Sequence, residues 1–152
     1  MLRCIMEKNE MKTLDIGMSY FKVEIGWKRW YDLRYPGSFS ETLVQLMKDK
    51  KLSAKKLADG SLVSEKTIQR LRNNEEYPTT KQTVLGLCYG LKLTIPEAEM
   101  LLGKTEFSLK STTPENNAYR FTLGSCAELS IYEVNEMLAA NGYLPFGSSP
   151  AE

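Results

Sequence analysis

Residues Leu52–Asn73 read LSAKKLADGSLVSEKTIQRLRN, a pattern that predicts two short helices joined by a tight turn. Ser53 stands where a cap for the first helix is needed, and Leu57 and Ala58 face inward from it. Ser64 stands at the start of the second. Val63 precedes that cap and Ile68 follows about one turn into the helix, the spacing of a hydrophobic staple that fixes how a chain enters a helix. Ile68 and Leu71 make the buried side of this second helix. Glu65, Lys66, Gln69, Arg70 and Arg72 populate its solvated side.

A short helix with a basic, amide-bearing outer face, braced by a helix across its back, is how a helix-turn-helix offers side chains to the DNA major groove. The stretch resembles the DNA-binding core of the Cro/cI-type (xenobiotic-response-element-type) helix-turn-helix family of bacterial and phage regulators. Leu57-Ala58, Val63-Ser64, Thr67-Ile68 and Leu71 stand at that family's hydrophobic and cap positions. The resemblance extends from Phe39 to Leu102 and implies a five-helix DNA-binding domain in an all-α chain. Two positions depart from the family pattern. Leu62 stands where Gly is usual, because that residue tends to adopt positive φ; Gly60 is expected to take over by shifting the turn. Ala54 stands where the family often has a Gln that touches DNA.

Charge is segregated around this stretch. From Lys48 to Arg72, Lys48, Lys50, Lys51, Lys55, Lys56, Lys66, Arg70 and Arg72 face only Asp49, Asp59 and Glu65, a local balance of +5 inside a chain of net charge +1. From Leu93 to Glu152 the balance is −5, with Lys104, Lys110 and Arg120 against eight glutamates. A Lys-rich helix end is commonly just a solvated face. Coincidence with the bihelical pattern favours a polyanion as the partner.

Composition narrows the rest. The 152 residues suit one domain with extensions. No apolar run approaches the roughly 18 residues of a membrane span, and the first residues turn charged too soon for a signal peptide. Cys4, Cys88 and Cys126 are odd in number and widely spaced, and there is no His. They offer neither a disulfide framework nor a zinc spacing, which fits a reducing cytoplasm.

Three regions follow from the pattern. Residues 1–37 form an N-terminal extension. In it Phe21, Val23, Ile25 and Trp27 alternate with Lys22, Glu24, Gly26 and Lys28, and Trp30, Tyr31, Leu33 and Tyr35 follow. That period and those aromatics predict a strand or hairpin over Tyr20–Tyr35. A lone hairpin is marginal in water, so this β-like segment either lies on the helical domain or meets a second chain by strand pairing. Residues 38–103 form the helix-turn-helix domain, with Ser38 and Glu41, then Thr79 and Gln82, at capping-box spacing. Residues 104–152 form a C-terminal helical extension, with a helix opened by Thr113-Pro114 and another by Ser130 with Glu133. It is too small to stand alone and is expected to dock on the core.

Catalytic chemistry finds no support. Without His there is no Ser-His or Cys-His nucleophile scheme and no HExxH zinc motif. Gly103-Lys104-Thr105 mimics the end of a phosphate-binding loop, but its required upstream Gly is Ala98. Ser53 to Lys56 fits S-x-x-K without its companion motifs. Glu97 with Glu99, and Glu133 with Glu136, are explained by solvation and capping. No catalytic residue, metal ligand or cofactor is expected.

The expected partner is double-stranded DNA. Residues near the N-terminus of the second helix reach base edges in this arrangement, which assigns Glu65, Lys66, Thr67, Gln69 and Arg70 to bases. Lys66 and Arg70 can donate to guanine, Gln69 can pair with adenine, and Glu65 can accept from cytosine. Ser64, Lys55, Lys56, Arg72, Asn73, Thr79 and Lys81 are assigned to phosphates. A module this small is expected to read a two-fold site as a homodimer. The resemblance thus implies a cytoplasmic regulator, a repressor of a bacterium, phage or mobile element. The alternative is a protein-interaction module, antitoxin-like or an adaptor, with Tyr20–Tyr35 as its contact.

Overall fold

The computed structural model describes residues 29–147, and among them every regular element is helical. Contacts divide the chain between Pro36 and Gly37 into two compact units.

In the first unit, residues 29–34 are helical, which corrects the expected strand at its Trp30–Tyr35 end. The rest of that expectation, from Tyr20 to Lys28, lies outside the described residues. Tyr31 and Tyr35 are buried while Asp32, Leu33 and Arg34 between them are exposed, a spacing of one helical turn. The Tyr35 N–H donates to the Tyr31 carbonyl at 2.8 Å. The β-preference of aromatics reflects fit to a pleated surface, and here local helical bonding overrides it. The Trp30 ring meets Tyr31 edge-on at 5.0 Å, and the Arg34 guanidinium sits 5.0 Å from the Tyr35 ring centre.

In the second unit, α1 (Phe39–Asp49), α2 (Ala54–Ser61), α3 (Glu65–Asn73), α4 (Lys81–Gly90) and α5 (Ile95–Leu102) are followed by α6 (Pro114–Leu123) and α7 (Ile131–Ala140). Each begins at a Ser or Thr whose side chain accepts the third backbone N–H of its helix: Ser38, Ser53, Ser64, Thr80, Thr94, Thr113 and Ser130. Such a cap is worth about 1 kcal/mol. Ser130 and Glu133 complete a reciprocal box, as do Thr94 and Glu97. α4 is capped by Thr80 rather than Thr79. Adjacent threonines are equivalent in sequence; Thr83 decides between them, since its N–H and its hydroxyl both meet the Thr80 oxygen, at 3.2 and 2.9 Å.

Helix ends are closed with equal economy. After α1, α4 and α7 the chain makes the same paired bonds back to the last turn: Leu52 to Met47 and Lys51 to Lys48, Leu93 to Cys88 and Lys92 to Tyr89, Tyr143 to Leu138 and Gly142 to Ala139. These are Schellman closures, which need a left-handed residue after the cap. Gly142 supplies it at φ +80°, whereas Lys51 and Lys92 adopt φ 56° and 54° at a steric cost.

The core centres on α4, where Val84, Leu85, Leu87 and Cys88 are wholly buried. Burial pushes the Cys88 thiol far above its ordinary value, so it serves as a small apolar filler. α2 packs directly on α4. A Cβ on Gly90 would come within 2.9 Å of Ser61 Cβ, and one on Gly86 within 2.7 Å of the Ser61 carbonyl oxygen. Only glycine permits backbones this close.

The C-terminal extension also packs on α4. Phe146 is buried 6.0 Å from the Tyr89 ring and 5.4 Å from the Tyr119 ring. Asn135 accepts the Phe146 N–H at 2.8 Å and donates to its carbonyl at 3.1 Å. Tyr89 donates to the Leu129 carbonyl at 2.6 Å, and Tyr119 to the Leu144 carbonyl at 3.0 Å. Arg120 ties the preceding loop by donating to the Leu109 carbonyl.

Candidate nucleic-acid interface

The sequence between the two central helices sets the angle at which α3 stands out. Leu62 itself takes the left-handed conformation, φ 56° and ψ 28°, and its N–H bonds the Ala58 carbonyl at 3.1 Å. Gly60 does not take over the turn: it stays inside α2, facing the backbone of Gly90. A shift of the turn to Gly60 would pull Ser61 out of its fully buried seat on α4, so Leu62 carries the strain. Val63 and Ile68 are both buried on the two sides of the Ser64 cap, as a hydrophobic staple requires.

α3 is thereby held by one face only. Ile68 and Leu71 are fully buried, and the Leu71 carbonyl accepts a hydrogen bond from Ser40 of α1 at 2.5 Å. Glu65, Lys66, Gln69, Arg70 and Asn73 are exposed. Two shallow grooves flank this outer face. One is lined by Ser64, Thr67, Pro78, Thr79, Thr80 and Thr83, the other by Gln69, Asn73 and Asn74. Lys66, Arg70 and Tyr77 belong to both and form the ridge between them.

Of the residues assigned to bases, Lys66, Thr67, Gln69 and Arg70 line the grooves, while Glu65 is exposed on the first turn of α3 and lines neither. Thr67 is half-buried, and its hydroxyl oxygen accepts from Ser64 at 2.8 Å. Arg70 donates to the Tyr77 hydroxyl at 3.2 Å and lies 5.7 Å from that ring's centre.

The residues assigned to phosphates divide. Ser64, Asn73 and Thr79 line the grooves, and the Thr79 hydroxyl is buried there without a protein partner. Lys55 and Lys56 are exposed on the first turn of α2, away from both grooves. Lys81 is turned elsewhere: its ammonium donates to Asn116 of α6 at 2.7 Å and lies 5.8 Å from the centre of the Tyr119 ring. Arg72 is half-buried, lines neither groove and donates to Gln69 at 3.4 Å.

Sequence reading passed over Tyr77. A tyrosine seven places after an arginine is no helical neighbour, so spacing alone does not pair the two. The available signal was Asn74. Its side chain accepts the Glu76 N–H at 3.0 Å and its carbonyl accepts the Tyr77 N–H at 3.2 Å, a local turn that asparagine favours.

Residues 42–98 match the family model described as the Cro/C1-type HTH DNA-binding domain. No curated protein and no solved structure gives a significant match. No helix among the described residues is long and apolar enough to cross a membrane.

Proposed function

We propose, on the premise that residues 42–98 form a Cro/C1-type helix-turn-helix domain, that this protein is a sequence-specific DNA-binding transcriptional regulator. In this reading α3 enters the major groove and the chain acts as a dimer on a two-fold site. The observation that carries it is the one-sided burial of α3. Ile68 and Leu71 anchor the helix, while Lys66, Gln69 and Arg70 stand exposed in the most basic part of the sequence.

The base-reading set is Glu65, Lys66, Thr67, Gln69 and Arg70, by the donor and acceptor patterns of the major groove. Ser64, Asn73 and Thr79, with Lys55 and Lys56 on α2, serve the sugar-phosphate backbone. Lys81 and Arg72 leave that set: the Lys81 ammonium is bonded to Asn116, and Arg72 is half-buried and lines neither groove. Glycine-free strain at Leu62 is consistent with a turn that aims α3 rather than one that merely joins two helices.

The test is selection of bound duplexes from random DNA by the full chain, followed by titration at several salt concentrations. Each neutralised phosphate adds about −0.9 to the slope of log affinity against log salt, so a steep slope is expected. Lys66→Ala and Arg70→Ala should each relax preference at one base position of a half-site. A flat slope with no selected sequence would sink the proposal.

A further inference from the structure

We infer that Tyr77 is a positioning residue for Arg70, fixing its guanidinium on the ridge of the interface before any DNA arrives. The inference rests on the reading above, that α3 meets base edges, and adds to it the loop residue that sets the specificity of one contact.

The geometry is local. α3 closes with the Asn74 N–H on the Arg70 carbonyl at 2.9 Å. Asn74 then folds the next residues into a turn through its bonds to Glu76 and Tyr77. The turn returns the half-buried Tyr77 ring to Arg70, one helical turn before the helix end. Two interactions then constrain one exposed side chain. The ring face attracts the cation, and the hydroxyl accepts one guanidinium N–H at 3.2 Å.

An arginine that reads guanine does so with two parallel N–H groups, which demands a fixed plane. A long exposed side chain loses much rotamer freedom on reaching that plane. Holding it there beforehand moves this cost out of the binding step, the general effect of preorganisation. Lys66, one turn earlier on the same ridge, has no hydrogen-bond or ion-pair partner among the described residues. The effect of Tyr77 should therefore be confined to the base pair that Arg70 reads.

The experiment uses the full chain and duplexes selected from random DNA. Arg70→Ala first identifies the base pair whose preference depends on the arginine. Tyr77→Leu, which keeps bulk and loses both interactions, should lower preference at that pair roughly tenfold, and Tyr77→Phe, which keeps the ring, roughly threefold. Preference at all other pairs and the salt slope should stay as in the wild type. In the Arg70→Ala background, Tyr77→Leu should have no further effect on that pair. Retained preference in Tyr77→Leu overturns the inference, as does uniform weakening on all sequences with a shallower salt slope, which would make Tyr77 a backbone contact. Should Tyr77→Leu fail to fold, an unchanged preference in Tyr77→Phe overturns it. A wild type that selects no sequence overturns this inference and the functional reading together. A wild type that selects, beside an Arg70→Ala that loses no preference, overturns only the inference.

Discussion

Gly147 lies against Leu62: a Cβ added to Gly147 would stand 2.9 Å from the Leu62 Cβ and 2.9 Å from its carbonyl oxygen. The residue that ends the described chain thus rests on the left-handed turn between α2 and α3. Its N–H is bonded to the Gln82 carbonyl at 2.9 Å, and its φ is +103°. The C-terminal extension is therefore part of what holds the helix-turn-helix in shape, through the Phe146 and Asn135 contacts that precede it.

Gly147→Ala should accordingly cost more than an ordinary glycine substitution. The strained φ and the backbone clash together amount to about 3 kcal/mol. Gly142→Ala is the control: its φ is +80°, but an added Cβ meets nothing within 4 Å, so backbone strain alone should cost about 1 kcal/mol. Urea unfolding of both variants checks this. Equal losses would mean that the contact on Leu62 contributes nothing.

The two lysines in left-handed closures predict gains instead. Lys92 is exposed and its side chain is not needed to close α4, so Lys92→Gly should stabilise by about 1 kcal/mol. Leu62→Gly relieves the same strain but also removes the side chain on which Gly147 rests, and should come out close to neutral. A Leu62→Gly gain as large as that of Lys92→Gly, in the same urea measurement, would contradict this account of the turn.

What could be read from the sequence was local. Ser53, Ser64, Thr94, Thr113 and Ser130 announce helix starts because a cap hydroxyl and its N–H lie three residues apart. The buried face of α3 followed from Ile68 and Leu71. What escaped depends on distant partners. The seat of Ser61 on Gly86 and Gly90 keeps Gly60 helical and forces Leu62 left-handed. Lys81 faces away from the grooves because Asn116 is 35 residues further on. Tyr31 and Tyr35 share a face by helical spacing, which their β-preference concealed.

Alkaline pH should loosen the α4–α6 packing. Burial, followed by the neighbouring Glu115 carboxylate, pushes the Tyr119 hydroxyl up to about 12, against a hydrogen bond to Gln82 that lowers it. Burial raises Tyr89 as well. The folded state then holds these protons more tightly than the unfolded chain, whose tyrosines titrate near about 10. The stabilisation is complete below about pH 10 and is lost as pH rises through the folded value. Tyr119→Phe loses the bond to the Leu144 carbonyl and should cost about 1 kcal/mol at neutral pH. Its stability should fall less steeply above pH 10. Parallel alkaline curves for the two proteins would refute the assignment.

Two lysines with the same charge should separate binding from folding. Lys56 is exposed on α2, and its ammonium has no partner among the described residues. Lys81 is bonded to Asn116 of the C-terminal extension. If Lys56 meets a phosphate, Lys56→Ala should make the salt slope shallower by about 0.9 per bound subunit while leaving the urea midpoint in place. Lys81→Ala should do the reverse: it strands the Asn116 side-chain amide oxygen and removes the cation over Tyr119, lowering stability by about 1 kcal/mol with the slope unchanged. The charge removed is identical, so a general electrostatic effect would shift both slopes alike. A shallower slope in Lys81→Ala would return that residue to the interface and require its bond to Asn116 to open when DNA binds.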